Sequence, residues 1–311
     1  YADLRGAPYV GGKSPVRLDA LTRFLYEQEV AYYDEMMAHL RGLGLKCPIT
    51  GTNQDFSDAS NFANARCDLM TRNNYWCHPN VNSKPMQFSN AAIVKSDLSR
   101  QMNLVSNVAS STVAGKPIIS PEFNCPWPNE WRAECLPLMA CYGRLQDWDG
   151  LLFFAYHPDR QGREALTSFG TQSDPVHWGQ LPLAALVFHR GDVSVARNTL
   201  HVGISAADCF TTRPGRTNGG NPYCLLPFVS KVRNAYFGEA YEGDADLVLT
   251  ASDPPRGDYS KARRALTFAD WSRSAAAGGV LRSDTSELTL DTQQGVFTAA
   301  TPNAVIATGF L

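Results

Sequence analysis

The sequence lacks any long apolar segment and carries almost no net charge. Its uninterrupted apolar runs fall short of the roughly 18 residues that a membrane-spanning helix needs. The 28 Lys and Arg residues nearly balance the 30 Asp and Glu residues, for a formal net charge of −2. This balance argues against nucleic acid or a membrane surface as the main partner. Hydrophobic residues make up 44% of the 311 positions, which predicts a globular protein of one or two domains.

Sequence motifs for metals, phosphates and redox cofactors are also missing. The eight cysteines include no C-x-x-C pair, which argues against a zinc ribbon or a thioredoxin-like site. No P-loop, dinucleotide fingerprint or G-x-S-x-G elbow is present. The sequence therefore predicts no cofactor and no metal. Cys209 and Cys224 bracket a polar loop, and a disulfide or two free thiols are equally compatible with that spacing. The compartment stays open, with a secreted or periplasmic location slightly favoured.

The spacing of apolar residues predicts two regions of different architecture. Helices are predicted at residues 18–40, 130–145 and 181–188, and strands at 45–50, 67–71, 116–120 and 150–155. Short apolar strands that end in polar clusters and alternate with helices are typical of parallel β/α barrels, whose chemistry lies at the carboxyl ends of the strands. Four strands are visible, whereas a closed barrel needs eight. We therefore expect a partial barrel over residues 1–190.

The remainder of the chain, residues 191–311, has a different pattern. Its apolar segments are short and alternate with a period of two, at residues 246–250, 265–268, 287–291 and 296–298. Alternation of this kind predicts a small antiparallel β-sandwich domain. The fold class is thus α/β plus all-β.

Glu122 is the strongest candidate for a catalytic residue. It follows the predicted strand at residues 116–120 after Pro121, and a carboxylate in this position lies at the reactive edge of a β/α barrel. Glycosidases use a carboxylate in this position as a nucleophile against the anomeric carbon. By position alone, an ordinary loop glutamate is the alternative.

Residues 116–124, KPIISPEFN, resemble the seventh strand of retaining glycoside hydrolases of the TIM-barrel clan A. The resemblance implies that Glu122 is the nucleophile and that Tyr75 hydrogen-bonds it. The departure is Pro121, which is inserted where the clan runs Ser directly into Glu. Residues 45–53, 68–79 and 149–157 resemble the fifth, sixth and eighth strands, and Tyr156 is the nearest match to the clan's aromatic sugar platform.

The resemblance extends through most of the chain and exposes a gap. Residues 174–193 and 282–310 are similar to the barrel exit and the small β domain of bacterial cellulase-like multidomain proteins. The clan's acid/base glutamate lies upstream of the helix at 18–40, and therefore before Tyr1. Asn129-Glu130 follows the nucleophile strand, so Glu130 is not that residue and more simply begins a helix. We expect a piece of a longer protein that holds barrel strands five to eight.

These features predict a retaining glycoside hydrolase that acts on a β-linked poly- or oligosaccharide and needs an acid/base from elsewhere. The alternative is a non-catalytic half-barrel fragment or a carbohydrate-binding module. Because half a barrel leaves strand edges and an apolar face open, we expect a homodimer or pairing with the missing half. The candidate substrate-binding residues lie after predicted strands: Asn53, Trp76, His78, Asn124, Trp127, Tyr156 and His157. The alternative is core or loop packing for the two tryptophans, a structural hydrogen bond for the two histidines, and satisfaction of backbone groups for the two asparagines. Trp148 is expected to pack in the core.

Overall fold

Three four-stranded sheets and the helices between them make up the described part of the chain. The computed structural model describes residues 14–53, 57–80, 82–98, 101–156, 166–211, 222–275 and 279–311. Two of the sheets are parallel and the third is antiparallel. None of the helices in these ranges is both long and apolar enough to cross a membrane.

A long helix opens the described chain and packs on a short one. Helix α1 (Pro15–Gly42) confirms the helix predicted at residues 18–40. The hydroxyl of Ser14 accepts the N–H of Arg17, which caps the helix, and proline at the first position suits the helical backbone. Helix α2 (Asp58–Asn64) packs against α1 through a small apolar cluster around Tyr33.

The first parallel sheet holds the candidate nucleophile. Its strands are β1 (Met70–Thr71), β2 (Asn74–Tyr75), β3 (Ile118–Asn124) and β4 (Gly150–Phe153). Strand β3 is central, with β1 and β2 on one side and β4 on the other. Parallel strands need long crossover connections, and these contain helices α3 (Leu104–Ala109) and α4 (Cys135–Leu145). Helix α5 (Pro175–Arg190) follows β4.

One of the four strands predicted for this sheet does not form. Residues 45–50 take no strand conformation, although they run beside the segment that leads into β1. The N–H of Asp68 donates to the Ile49 carbonyl at 2.9 Å, and the Asp68 carboxylate accepts the Ile49 N–H at 2.7 Å. A side chain thus replaces a backbone partner, which interrupts the ladder. The described residues form no closed barrel, and three of the four predicted strands are confirmed.

A second parallel sheet corrects the prediction for residues 191–311. Its strands are β5 (Thr199–Ser205), β6 (Lys231–Phe237), β7 (Leu247–Thr250) and β8 (Ala265–Thr267), in the order β6-β5-β7-β8. All three pairings are parallel. Helix α6 (Ala206–Cys209) follows β5, and α7 (Phe268–Ala275) follows β8. The segments at 246–250 and 265–268 are strands, as predicted, but they do not belong to an antiparallel module.

The physical reason for this error lies in the connection between β7 and β8. Residues 251–264 are too long a link for a two-residue hairpin, whereas parallel neighbours require such a crossover. The last three residues of β7 are buried, as expected for a strand covered on both faces. A period of two identifies a strand, but it does not give the direction of its neighbour.

The antiparallel sheet is confined to the last part of the chain. Its strands are β9 (Val280–Arg282), β10 (Leu288–Asp291), β11 (Val296–Ala300) and β12 (Val305–Gly309), paired in chain order. The antiparallel direction predicted for 287–291 and 296–298 is confirmed. The buried face packs on α4, where the rings of Tyr142 and Phe297 lie 5.4 Å apart. The described residues therefore show one antiparallel sheet on a helix instead of a two-sheet sandwich.

The main apolar cluster joins the first parallel sheet, α4 and the antiparallel sheet. It includes Ile118 of β3, Leu138 of α4 and Leu290 of β10, all fully buried. Trp148 is also buried in this cluster, which confirms its predicted packing. The cluster therefore contains residues from both sides of position 190. Cys209 and Cys224 are buried, and neither forms a disulfide.

Candidate functional site

Tyr75 and Glu122 meet at the carboxyl edge of the first parallel sheet. The register of β2 on β3 places Tyr75 opposite Asn124. Glu122 lies two residues earlier in β3, so its side chain is a diagonal neighbour of Tyr75 on the same face. The Tyr75 hydroxyl donates a hydrogen bond to Oε2 of the half-buried Glu122 carboxylate. This is the contact that the resemblance implies.

Three rings enclose the phenol of Tyr75. Its centroid lies 5.1 Å from that of His78, 5.5 Å from that of Phe169 and 6.1 Å from that of Phe154, each in an edge-to-face arrangement. Burial raises the pKa of Tyr75, and the hydrogen bond to the Glu122 carboxylate raises it further. The hydroxyl therefore keeps its proton at neutral pH and is available as a donor to Glu122.

Phe169 is a site residue that the sequence did not predict. The segment after residue 166 returns to the end of β4, where the Ala155 N–H donates to the Phe169 carbonyl at 3.0 Å and the Thr171 N–H donates to the Ala155 carbonyl at 3.0 Å. This pairing brings the Phe169 ring to Tyr75, His78 and Phe154. No local pattern signals such a contact, because it depends on the return of the chain across the sheet edge.

Asn124, two residues after Glu122, links β3 to the end of β4 by a hydrogen bond. Its side-chain amide donates to the Phe154 carbonyl, while its own backbone carbonyl accepts the Trp76 N–H at 2.9 Å. The side chain is fully buried, and Oδ1 has no hydrogen-bond partner in the described part of the chain. Asn53 is half-buried, and its carbonyl accepts the Asn73 N–H at 3.0 Å. Asn124 therefore ends β3 and is committed to backbone contacts, whereas Asn53 does not follow a strand, because residues 45–50 form none.

Trp76 is predicted to stack on a sugar, and the structure places it in the protein interior. Its side chain belongs to the main apolar cluster and is only 8% exposed. The indole N–H donates to the Ala91 carbonyl at 2.8 Å. Trp76 follows Tyr75 directly, and alternation along the strand sends its ring to the opposite face. Trp127 is half-buried.

Tyr156 and Trp178 form an exposed aromatic pair near the end of β4. Tyr156 is 61% exposed and Trp178 is 51% exposed, and their ring centroids lie 5.9 Å apart. His78 is exposed, and its Nδ1 lies 2.8 Å from the Pro79 carbonyl oxygen. His157 lies outside the described residues. The structure thus presents exposed aromatic surface at Tyr156 and Trp178, after the end of β4.

Two further carboxylates lie in the neighbouring region, and both are committed to structure. Glu134 is buried, and its Oε2 accepts the N–H groups of Ile93 and Val94 at 2.6 and 3.1 Å. Burial raises the pKa of Glu134, although these two N–H groups oppose the effect. Asp174 caps α5 and accepts both branches of the Arg132 guanidinium, at 2.7 and 3.2 Å.

Asp174 also contacts His177, whose Nδ1 lies 3.3 Å from the carboxylate. Burial works against ionisation of Asp174, but Arg132 and His177 outweigh it and hold its pKa below the usual value. Burial in turn lowers the pKa of His177 to about 4. The helix cap was readable from Asp174-Pro175, whereas the Arg132 partner was not, because the two residues are far apart in the chain.

Glu130 is exposed, and its backbone N–H donates to Asn90 Oδ1 at 2.8 Å. Its position after the nucleophile strand already argued against a role as the acid/base. Within the described ranges, Tyr75 is the side chain that bonds the Glu122 carboxylate, and no second carboxylate joins the pair. These ranges also contain no cluster of three His, Cys, Asp or Glu side chains suited to a metal ion. The site therefore offers one oriented carboxylate with a phenol donor.

Comparisons with protein-family models, with curated proteins and with solved structures each found no match to this chain.

Proposed function

We propose that the chain carries the nucleophile half of a retaining glycoside hydrolase that acts on a β-linked poly- or oligosaccharide. The observation that supports the proposal is the hydrogen bond from the Tyr75 hydroxyl to the Glu122 carboxylate at the carboxyl edge of a parallel sheet. Carboxylates at this edge are placed for chemistry in β/α folds.

In the proposed reaction, Glu122 attacks the anomeric carbon while the bond to the leaving oxygen breaks. Tyr75 bonds Oε2, which leaves Oε1 as the attacking atom. The product is a covalent glycosyl-enzyme. Water then attacks the same carbon, gives its proton to the group that earlier protonated the leaving oxygen, and so regenerates the Glu122 carboxylate. The phenol holds Glu122 in one orientation, so less conformational entropy is lost when the transition state forms.

The reaction also needs a group that protonates the leaving oxygen. A retaining geometry places that carboxyl about 5–5.5 Å from the nucleophile. We propose that it is supplied by another polypeptide, either a complementary half-barrel or a second copy of this chain. Its absence would slow substrates that need protonation by about 10²–10⁴-fold.

The test is mass spectrometry of the intact protein after incubation with a panel of 2-deoxy-2-fluoro dinitrophenyl glycosides. Dinitrophenolate leaves without protonation, so the reagent reports on the nucleophile alone. We expect one glycosyl adduct that maps to Glu122 and identifies the accepted sugar. Glu122→Gln is expected to form no adduct. The matched variant Glu130→Gln is expected to react like the wild type, because Glu130 is exposed and takes no part in the proposed reaction. No adduct from a folded sample would refute the proposal.

The second candidate function is a carbohydrate-binding fragment without turnover. It is favoured by the single carboxylate at the site and by the exposed Tyr156 and Trp178 rings, which are suited to stacking on sugars. Binding of oligosaccharides by a Glu122→Gln variant, together with no adduct in the wild type, would favour this candidate. Loss of that binding in Tyr156→Ala would locate the sugar.

Among the described strands, β4 pairs only with β3, so it is an edge strand that the proposed partner is expected to cover. Leu152 of β4 is 52% exposed, and Leu183 and Leu186 of α5 are 46% and 49% exposed. Apolar side chains beside an edge strand are typical of a surface that is covered in an assembly. Light scattering is expected to show a dimer, and a chain that is strictly monomeric at high concentration would contradict self-pairing.

A further inference from the structure

Strand β3 contains one more residue than either of its neighbours at the point where it carries Glu122. On one side, Ser120 pairs with Leu151 and Phe123 with Phe153, so two residues of β3 face only Leu152. On the other side, Ile119 pairs with Thr71 and Phe123 with Asn74, which again leaves β3 one residue longer. This is a β-bulge spanning Ser120 to Glu122.

The bulge determines which face Glu122 occupies. Ile118 and Phe123 both belong to the main apolar cluster, although they are an odd number of positions apart. In a regular strand such residues would lie on opposite faces. Glu122 is an even number of positions from Ile118, so without the bulge it would point into the apolar cluster. With the bulge, it lies on the open face beside Tyr75.

Pro121 leaves a gap in the hydrogen-bond ladder at the same point. The Arg72 N–H donates to the Ile119 carbonyl at 3.1 Å, and in a parallel ladder the Arg72 carbonyl would then accept the N–H of residue 121. Proline has no N–H. The Ser120 hydroxyl takes over this role and donates to the Arg72 carbonyl at 2.9 Å. It also lies 3.4 Å from the Glu122 carbonyl oxygen, across the bulge.

We propose that Ser120 is a positioning residue: its hydroxyl replaces the N–H that Pro121 lacks, and so holds the bulge that turns Glu122 toward Tyr75. Ser120 is 1% exposed and acts only through Glu122. The consequence for reactivity rests on the proposed function, whereas the consequence for the Tyr75–Glu122 contact does not.

The test is a cycle of variants built on Ser120→Ala and deletion of Pro121. Deletion removes the extra residue, so Glu122 stays on the open face of a regular strand and its N–H bonds the Arg72 carbonyl. The Ser120 hydroxyl is then no longer needed as a donor to that carbonyl. We therefore expect Ser120→Ala to weaken the Tyr75–Glu122 contact and slow adduct formation in the natural chain. In the chain without Pro121, the same substitution should change neither. Ser120→Thr keeps the hydroxyl and is the matched control.

Two readouts separate this inference from the proposed function. The first is the ¹³Cζ signal of Tyr75 in tyrosine-labelled protein, assigned with Tyr75→Phe, which reports its hydrogen bond to Glu122. The second is the rate of adduct formation with the fluoroglycoside identified above. In Ser120→Ala we expect the Tyr75 signal to shift and adduct formation to slow at least tenfold. In Ser120→Thr, and in Ser120→Ala with Pro121 deleted, both readouts are expected to match the corresponding parent.

An equal loss from Ser120→Ala in both backgrounds would overturn the inference, as would an unchanged Tyr75 signal in the natural background. If the wild type forms no adduct, the proposed function fails and the Tyr75 signal still decides the role of Ser120. If Ser120→Ala does not fold, the double variant decides: folding restored by deletion of Pro121 supports the inference, and failure of the double variant beside a folded deletion variant contradicts it.

Discussion

The two parallel sheets differ in how they end at their carboxyl edges. In the second sheet, β5 and β6 stay in register over the whole of β5, from Thr199 to Ser205. The chain then covers this end itself: the Tyr259 hydroxyl donates to the Gly203 carbonyl at 2.9 Å, and the Ala251 N–H donates to the same oxygen at 3.0 Å. The Gly203 carbonyl at this edge is therefore satisfied by groups of the protein itself.

The first sheet has the opposite properties. Its central strand is bulged, and its edge presents a half-buried carboxylate with a phenol donor and a buried amide oxygen on Asn124 that has no partner among the described residues. Open α/β sheets bind ligands at their carboxyl edges, but only where the edge is left available. The same architecture therefore serves as a scaffold in one region and presents a candidate site in the other.

Acidification is expected to have the largest effect, and it acts on both regions. Burial lowers the pKa of His177, near the first sheet, and of His201, in β5, to about 4 in each case. The unfolded chain then binds more protons than the folded one as the pH falls from about 6.5 to 4. The free energy of unfolding should therefore fall in this window, by up to about 3 kcal/mol for each histidine.

Denaturant unfolding at a series of pH values checks this prediction. His177→Gln and His201→Gln should each make the free energy of unfolding less dependent on pH, and the double variant least dependent. The control is His39→Gln, the same substitution at an exposed position of α1. If one buried variant removes the whole slope, the two regions do not contribute comparably.

Tyr75→Phe is expected to have the next largest effect, and only at the first sheet. The change removes one hydrogen bond to a charged acceptor, worth about 1.5–3 kcal/mol, so the rate of adduct formation at Glu122 should fall about tenfold to a hundredfold. Mass spectrometry at timed intervals measures this rate. Tyr32→Phe, at an exposed tyrosine of α1, is the control. Equal rates for wild type and Tyr75→Phe would show that the phenol does not assist Glu122.

The sequence predicted the elements better than their arrangement. Apolar periodicity located α1, β3, β4, β7 and β10, because local patterns report which face of an element is buried. It assigned β7 to an antiparallel module, because the direction of a neighbour depends on a crossover and not on the strand itself. Glu122 was predicted from its position after a strand and Tyr75 from a resemblance, and the structure joins the two side chains by a hydrogen bond. The burial of Trp76 and the approach of Phe169 depend on tertiary packing.

Gly203→Ala is expected to destabilise the covered edge of the second sheet. A Cβ at this position would lie 2.6 Å from Cε1 of Tyr259 and 3.0 Å from a methyl of Val248. The Tyr259 hydroxyl donates a hydrogen bond to the Gly203 carbonyl, so the ring has little freedom to move away from a new Cβ. We expect a loss of about 1–3 kcal/mol in the free energy of unfolding. An unchanged midpoint in urea would show that Tyr259 is held less firmly than its contacts indicate.

Gly179→Ala is the matched substitution beside the first sheet and is expected to have the smallest effect, with the opposite sign. Gly179 is an exposed residue within α5, and a Cβ there would meet no atom within 4 Å. Alanine reduces the conformational freedom of the unfolded chain and favours the helix, so we expect a gain of about 0.5–1 kcal/mol. Parallel urea titrations of the two variants compare one chemical change in two surroundings. A gain at Gly203 or a loss at Gly179 would contradict the view that the second sheet closes its own edge while α5 leaves its outer face open.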